Sequence, residues 1–336
     1  MAATPLHEGL YLALAPMDGI TDWVSRQALT DVADGHSGIS ACASEFVRVS
    51  SHVVSEKVLL RECPELHVGG CTPARVPVYV QLLGGDGDML ARTARRAAAL
   101  GAPGIDLNFG CPAKTVNRHD GGATLLKHPE RIADIVARVR DAVPPSIPVS
   151  VKIRLGWEDA GDVAAVARAA ERGGGSWLTV HGRTRKDMYG PPADWRAIGA
   201  ARRAVAIPVV ANGDLRRAPD LDACQQQSGC SAFMLGRSAT AHHDLFRRMR
   251  GMPVGSDADG YGAFLLGYLR GSLARGCPEL SALGRLKHWV GLAAVVEPSR
   301  RALFAGLKRL DTASAAEGLI EAWVLDECAA PIRRAG

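Results

Sequence analysis

Short apolar runs, each closed by a polar residue or a glycine, recur through the first 240 or so residues, at 11–15, 38–48, 76–84, 104–110, 148–156, 177–184, 207–214 and 231–237. Between most of them apolar positions return every three to four residues, as at 88–100, 129–143, 162–172 and 218–227. Runs of the first kind predict buried strands, and segments of the second kind predict helices. Pro129 suits the first turn of its helix, where no N–H is needed, and Gly101 suits the position just past a helix end. Strand and helix alternating eight times predict an α/β fold with a parallel sheet closed into a (β/α)8 TIM barrel. An open doubly wound sheet is the alternative, but no Gly-x-Gly-x-x-Gly turn follows the first run.

After Arg250 the pattern changes. Residues 251–260 are rich in Gly, Pro and Asp and read as a linker, and 261–274, 282–296, 302–310 and 313–328 have helical period with no strand between them. The expected organisation is a barrel domain over 1–250, a linker over 251–260 and a small all-α helical bundle over 261–336. A length of 336 residues suits that division, since single cores stop growing at roughly 250–300 residues.

Composition narrows the setting. The chain is 47% hydrophobic with mean hydropathy near zero, and no apolar run approaches the ~20 residues that span a bilayer. Residues 1–9 lack the charged-then-apolar order of a signal peptide, so the expected location is the cytoplasm. The eight cysteines (42, 63, 71, 111, 224, 230, 277 and 328) form no Cys-x-x-Cys pair and lie near no cluster of His. Neither a metal site nor a disulfide framework is expected, and most of them read as small buried residues. The net charge of +5 permits a polyanionic partner. Between 285 and 309, Arg285, Lys287, Arg300, Arg301, Lys308 and Arg309 face only Glu297, a run that reads either as a solvated helix face or as a phosphate-binding one.

One cysteine stands apart. In Gly104-Ile-Asp-Leu-Asn-Phe-Gly-Cys-Pro-Ala-Lys114, a short strand ends at Asn108, and Pro112 pushes Cys111 out of the helical region onto a turn. A polar, glycine-bearing loop is expected over 115–127. Barrel chemistry sits at the C-terminal ends of the strands. That rule collects Pro16, Met17, Gln81, Asn108, Cys111, Lys152, His181, Arg183, Asn212, Gly213, Asp214, Gly236 and Arg237. The loops of the seventh and eighth strands, with Asn212-Gly213-Asp214 and Gly236-Arg237, have the glycine N–H groups and the guanidinium that suit a phosphate. Gln81 and Asn108 offer amides able to read a ring edge, and Lys152 a positive charge beside a ligand that becomes anionic on reduction.

The ordered set Ala15-Pro-Met17, Val80-Gln-Leu-Leu-Gly84, Asp106-Leu-Asn-Phe-Gly-Cys-Pro-Ala-Lys114, Val151-Lys-Ile-Arg154, Val180-His-Gly-Arg-Thr184, Ala211-Asn-Gly-Asp214 and Leu235-Gly-Arg237 resembles the tRNA-dihydrouridine synthases. The resemblance runs through the whole expected barrel and extends to the basic helical tail. It implies an FMN-bearing barrel, a helical tRNA-binding domain and NADPH as reductant, in a protein expected to be monomeric. Carried onto this chain, it implies that Ala15, Pro16, Met17, Gln81, Asn108, Lys152, Asn212, Gly213, Asp214, Gly236 and Arg237 hold FMN, with His181 by the flavin and its phosphate. It implies hydride transfer from reduced FMN to C6 of a uracil ring, with Cys111 giving the proton to C5. Ser44-Glu-Phe-Val-Arg-Val49 and Arg285-Leu-Lys-His-Trp289 resemble the bacterial branch that modifies uridine 16, which makes Arg48, Arg285, Lys287 and Arg300 the expected tRNA contacts. The competing expectation is an FMN barrel acting on a free small molecule, in the manner of a dihydroorotate-type dehydrogenase, which would need no basic tail.

Overall fold

The computed structural model describes residues 6, 9–32, 35–118, 120–190, 192–255 and 257–334, with backbone only at 257–259 and 328–334; the side chain of Cys328 thus lies outside the described residues. Among the described residues nine strands occur in order: β1 (Tyr11–Leu14), β2 (Ala41–Ala43), β3 (Val47–Arg48), β4 (Val78–Leu83), β5 (Ile105–Asn108), β6 (Val149–Arg154), β7 (Trp177–His181), β8 (Val209–Asn212) and β9 (Ala232–Leu235). All pair in parallel, and the ring closes through β1–β9 on one side and β1–β2–β4 on the other. The expected closed eight-stranded barrel is therefore present, with β2 and β3 forming one broken stave.

The break has a register cause. Between the pairs Cys42↔Val78 and Val47↔Leu82, the second stave takes five steps where β4 takes four. The extra residue makes a bulge, which interrupts the ladder and leaves main-chain groups to be satisfied otherwise. Ser44 does this: its N–H donates to Tyr79 O at 2.9 Å, and its hydroxyl accepts the Gln81 N–H at 3.0 Å.

Side chains alternate between the inside and the outside of each stave. The inward set includes Tyr11, Ala13, Ala15, Ala41, Tyr79, Trp177, Val210, Ala232 and Met234, which pack as one cluster. Alanines at four of these positions make room for the large rings, and Tyr79 and Trp177 meet at 5.4 Å between centroids. Two residues further along the same face come Gln81 after Tyr79 and Asn212 after Val210, while Asp106, Asn108, Ser150 and Lys152 continue the inward rows of β5 and β6. The interior thus changes from apolar to polar toward the C-terminal ends of the strands.

The helices are α1 (Trp23–Thr30), α2 (Glu56–Glu62), α3 (Gly87–Ala99), α4 (Lys114–Asn117), α5 (Pro129–Ala142), α6 (Val163–Arg172), α7 (Trp195–Ala204), α8 (Ala218–Ser228), α9 (Ser238–Ala241), α10 (Leu245–Met249), α11 (Asp257–Ala274), α12 (Glu279–Val296), α13 (Arg301–Leu307) and α14 (Ala313–Arg334). Asp86 caps α3 through the N–H groups of Asp88 and Met89, and Asp194 caps α7 through that of Ala197. α5 buries Ile132, Ile135, Val136 and Val139, the stripe its sequence period predicts. The segment 115–127 is not the plain loop expected. It contains the turn of α4 and a 3-10 turn at Gly122–Lys127, because Val116, Leu125 and Leu126 are apolar and buried.

Contacts divide the chain into a unit of 1–16 and 39–235, which holds the barrel, and a unit of 17–38 and 236–336. The second unit is all-α and gathers α1, α9 and α10 with α11–α14, so this grouping cuts the chain elsewhere than the change of composition does. Its core is aromatic: Phe264 lies 5.1 Å from Trp289 and 6.5 Å from Tyr268, centroid to centroid. Among the described residues, no helix is long and apolar enough to cross a membrane.

Ser44→Ala leaves the buried Gln81 N–H without its acceptor. The expected result is a loss of about 1–3 kcal/mol in unfolding free energy, read as a lower denaturant midpoint with an unchanged slope.

Candidate active site

Neighbouring strands place Gln81 opposite Asp106, Asp106 opposite Ser150, and Asn108 opposite Lys152. Their side chains form one hydrogen-bonded chain. Ser150 Oγ donates to Asp106 Oδ1 at 2.6 Å, Gln81 Nε2 to Asp106 Oδ2 at 2.6 Å, and Asn108 Nδ2 to Gln81 Oε1 at 2.8 Å. Asn108 Oδ1 then accepts the Gly110 N–H at 3.0 Å. Burial pushes the Asp106 carboxyl above the usual range, while the bonds from Ser150 and Gln81 and the charge of Lys152 pull the other way.

Lys152 Nζ donates to Asn212 Oδ1 at 3.2 Å, and Asn212 Nδ2 is fixed by Met234 O at 2.8 Å. Burial lowers the Lys152 ammonium to about 8, aided by the charge of Arg154 and opposed by Asp106 and Cys111. It is therefore protonated at neutral pH, and two of its three donors remain for a ligand.

Cys111 is half-buried on a braced turn. Phe109 N–H donates to Lys152 O at 2.9 Å, Arg154 Nε to Gly110 O at 2.8 Å, and Ala123 N–H to Cys111 O at 3.1 Å. Arg154 Nη1 also reaches Thr184 O at 3.0 Å and Met188 O at 2.7 Å, tying the loop after β7 to this turn. Gly122 has φ of +60°, and a Cβ there would lie 2.9 Å from Cys111 O and 2.8 Å from Val116 Cγ1. Only glycine fits. Thr124 secures the return of the segment through its N–H to Asn117 Oδ1 at 3.0 Å.

A second group lies at the ends of β7 and β8. Arg183 places Nη1 3.1 Å from His181 Nε2, gives Nη2 to Asp214 Oδ2 at 2.6 Å, and gives Nε to Gly190 O. Asp214, in the left-handed region at φ of +54°, also accepts the Ala193 N–H at 2.7 Å. Burial acts to raise its carboxyl, yet the bonds from Arg183 and Ala193 prevail and hold it below the usual carboxylate range. Gly213 O accepts from Trp195 Nε1 at 2.9 Å.

The remaining candidates fall as follows. Ala15 continues β1, with its N–H on Leu235 O at 2.8 Å, and Pro16 follows it. Met17, Gly236 and Arg237 belong to the helical unit. There the Met17 N–H donates to Thr21 Oγ1 at 2.7 Å, and Arg237 O accepts from Thr240 Oγ1 at 2.7 Å. Arg48 is exposed and lines a cavity of about 380 Å³ with Val49, Leu83, Gly84, Val116 and Gly121. In the helical unit Arg285 pairs with Asp22, and Lys287 Nζ donates to Leu310 O. Arg300 departs from expectation. It is 2% exposed, with its guanidinium 4.3 Å from the Tyr261 ring centroid and 4.9 Å from that of Trp323, so it presents no surface to a phosphate. Helical period alone could not tell this core cation from its exposed neighbours Arg301, Lys308 and Arg309.

Asp106, Ser150 and Arg154 had no assigned part in the sequence reading. The signal was available: each lies an even number of residues from an inward-facing candidate, Asn108 or Lys152, on the same strand. Among the described residues, no group of three or more His, Cys, Asp or Glu side chains gathers to hold a metal ion.

The sequence profile of the family described as dihydrouridine synthase (Dus) matches residues 13–258. The chain belongs to the dihydrouridine synthase family. A tRNA-dihydrouridine(16) synthase of Cupriavidus necator is 43% identical over 316 residues, which cover 92% of this chain and 96% of that one. One from Pseudomonas putida is 40% identical, covering 96% of this chain and 100% of its own. One from Salmonella typhimurium is 40% identical, with 92% and 98% covered. Among solved structures, histamine dehydrogenase from Rhizobium sp. 4-9 has a TM-score of 0.54 at 13% identity, covering 76% of this chain and 48% of that chain. Morphinone reductase has a TM-score of 0.50 at 14% identity, with 75% and 88% covered. These two likenesses are of fold alone. As a dihydrouridine synthase, the chain is an oxidoreductase, and the polar end of its barrel is the candidate site.

Asp214→Asn removes the counter-charge of a guanidinium whose side chain is 1% exposed. The expected cost is about 3–5 kcal/mol in denaturant unfolding at neutral pH. Because the folded carboxyl titrates below its unfolded value, the pair contributes fully above about pH 4 and is lost as the pH falls through the depressed value. The gap between parent and variant should therefore close in acid.

Proposed function

We propose that the chain is a cytoplasmic, FMN-dependent tRNA-dihydrouridine synthase that saturates the C5–C6 bond of uridine 16, with NADPH as reductant. The observation that carries this reading is the half-buried Cys111, held on a braced turn within electrostatic reach of the buried-edge ammonium of Lys152. The Cupriavidus, Pseudomonas and Salmonella relatives, as tRNA-dihydrouridine(16) synthases, support the substrate and the position.

The donor set suits FMN. A protonated Lys152 with donors to spare, two buried amides at Gln81 and Asn108, and the Asn212-Gly213-Asp214 turn offer a cation, ring-edge partners and main-chain groups. Ala15, Pro16, Met17, His181, Gly236 and Arg237 complete the proposed set. The chemistry that bound FMN supplies is hydride transfer to C6. Lys152 holds positive charge where negative charge collects, and the Cys111 thiol gives its proton to C5. A thiol that serves as the acid must carry its proton when the base arrives. The target base must leave its stack, at roughly a few kcal/mol, before it can reach such a site. Arg48 at the barrel mouth is the proposed reader of the nucleotide, and Arg285 and Lys287 are proposed phosphate contacts. Arg301, Lys308 and Arg309 join them, being exposed and without an ion-pair partner among the described residues.

The purified protein should be yellow with about one FMN per chain, and tRNA from cells lacking it should lose dihydrouridine at position 16. Cys111→Ala should retain FMN and NADPH oxidation while forming dihydrouridine about 10²–10⁴-fold more slowly. Formation at the parental rate would make Cys111 a structural turn residue only.

Phosphate contacts release counterions, so affinity for tRNA should fall steeply with salt. Replacing Arg301 and Lys308 by Ala should flatten the slope of log affinity against log salt by roughly one to two units and leave FMN content unchanged. An unchanged slope would return the tail to a solvated helix face.

A further inference from the structure

Each amide in the chain Gln81–Asn108 can donate from one end and accept at the other, so the chain could run in either sense. Its sense is set at its two ends: the Gly110 N–H can only donate at one, and Asp106 stands at the other. Asp106 is 4% exposed, and its carboxylate, when ionised, can only accept. Both of its oxygens are engaged at 2.6 Å, Oδ1 by Ser150 and Oδ2 by Gln81. Gln81 must therefore turn its amino group inward and its carbonyl toward Asn108. Asn108 must then give its amino group to Gln81 and keep its carbonyl for the Gly110 N–H, one residue before Cys111. In the reverse sense the Asn108 amino group would face the Gly110 N–H, donor against donor, and the turn would lose its brace.

We propose that Asp106 is a positioning residue that anchors the inner end of this hydrogen-bond chain in the sense the Gly110 N–H requires at the other, and through it holds both the amide faces offered to the flavin and the seating of the Cys111 turn. This rests on the FMN reading above. Ser150 serves as the anchor of the carboxylate: its hydroxyl meets Asp106 at 2.6 Å and the Ile105 carbonyl only at 3.4 Å. The ionisable groups coupled to Asp106 are Lys152, which favours its charge, and the phenols of Tyr11 and Tyr79. None of these can take over the role, since none replaces an obligate acceptor against the Gln81 amino group.

The test is Asp106→Asn, which keeps shape and volume but can donate as well as accept. FMN affinity is measured by quenching of flavin fluorescence, and the visible absorption bands of the bound flavin are recorded beside it. The expected result is FMN binding weakened about tenfold or more, with displaced absorption bands, in a protein shown by circular dichroism to be folded under the conditions of the measurement. A residue that merely fills space would leave affinity and spectrum unmoved. Parental affinity together with a parental spectrum overturns the proposal. Should Asp106→Asn not fold, Ser150→Ala decides: roughly threefold weaker FMN binding supports the proposal, and parental binding overturns it. A parent protein that takes up no FMN at all would instead remove the functional reading, and this inference with it.

Discussion

A closed parallel barrel forces every second side chain of every stave into one enclosed space, and no edge remains where a misfit could be turned out to solvent. Everything else in this protein is arranged around that constraint. The alanines at 13, 15, 41 and 232 are small because Tyr11, Tyr79 and Trp177 occupy the same layer. Above them Gln81, Asp106, Asn108, Ser150, Lys152 and Asn212 are bonded among themselves, since an unpaired amide or carboxylate in that space would be costly, and the Thr179 hydroxyl alone of this row has no partner among the described residues. Stability and chemistry thus share one set of hydrogen bonds.

Charge in this interior is balanced over several groups. Lys152 is weakened as a cation by burial and by Arg154, and Asp106 partly restores it. Arg183 and Asp214 form a second pair, extended by Ala193 and Arg216 on the carboxylate side, and its carboxyl is held below the usual range despite its burial. The first arrangement leaves an ammonium with donors to spare. The second acts as a brace between the ends of β7 and β8.

The architecture was legible because strand and helix periods are local properties of a chain. The eight strands, the helices at 129–142 and 163–172, and the all-α tail all follow from spacing and from Pro and Gly at element ends. What spacing could not show is which partner an inward polar residue finds. Asp106 reads simply as part of a strand until Gln81 and Ser150 are seen on either side of it. Arg300 shows the converse: a cation can be buried against aromatic faces, and sequence period does not distinguish that from exposure. The grouping of 17–38 with the tail helices was likewise invisible, because it depends on contacts such as Arg285 with Asp22, more than 260 residues apart.

The bulge at Ser44 has a consequence for the mouth of the barrel. On an unbroken stave, position 48 would keep the parity of Cys42 and point away from the interior. One additional residue reverses the alternation, so that Arg48 pairs with Leu83, which continues the inward row of Tyr79 and Gln81. Deleting or adding a single residue between 44 and 46 would exchange the guanidinium for the side chain beside it without altering any other stave. A change of length, with no change of residue type at the site, would thus decide which side chain lines the cavity beside Leu83 and Gly84.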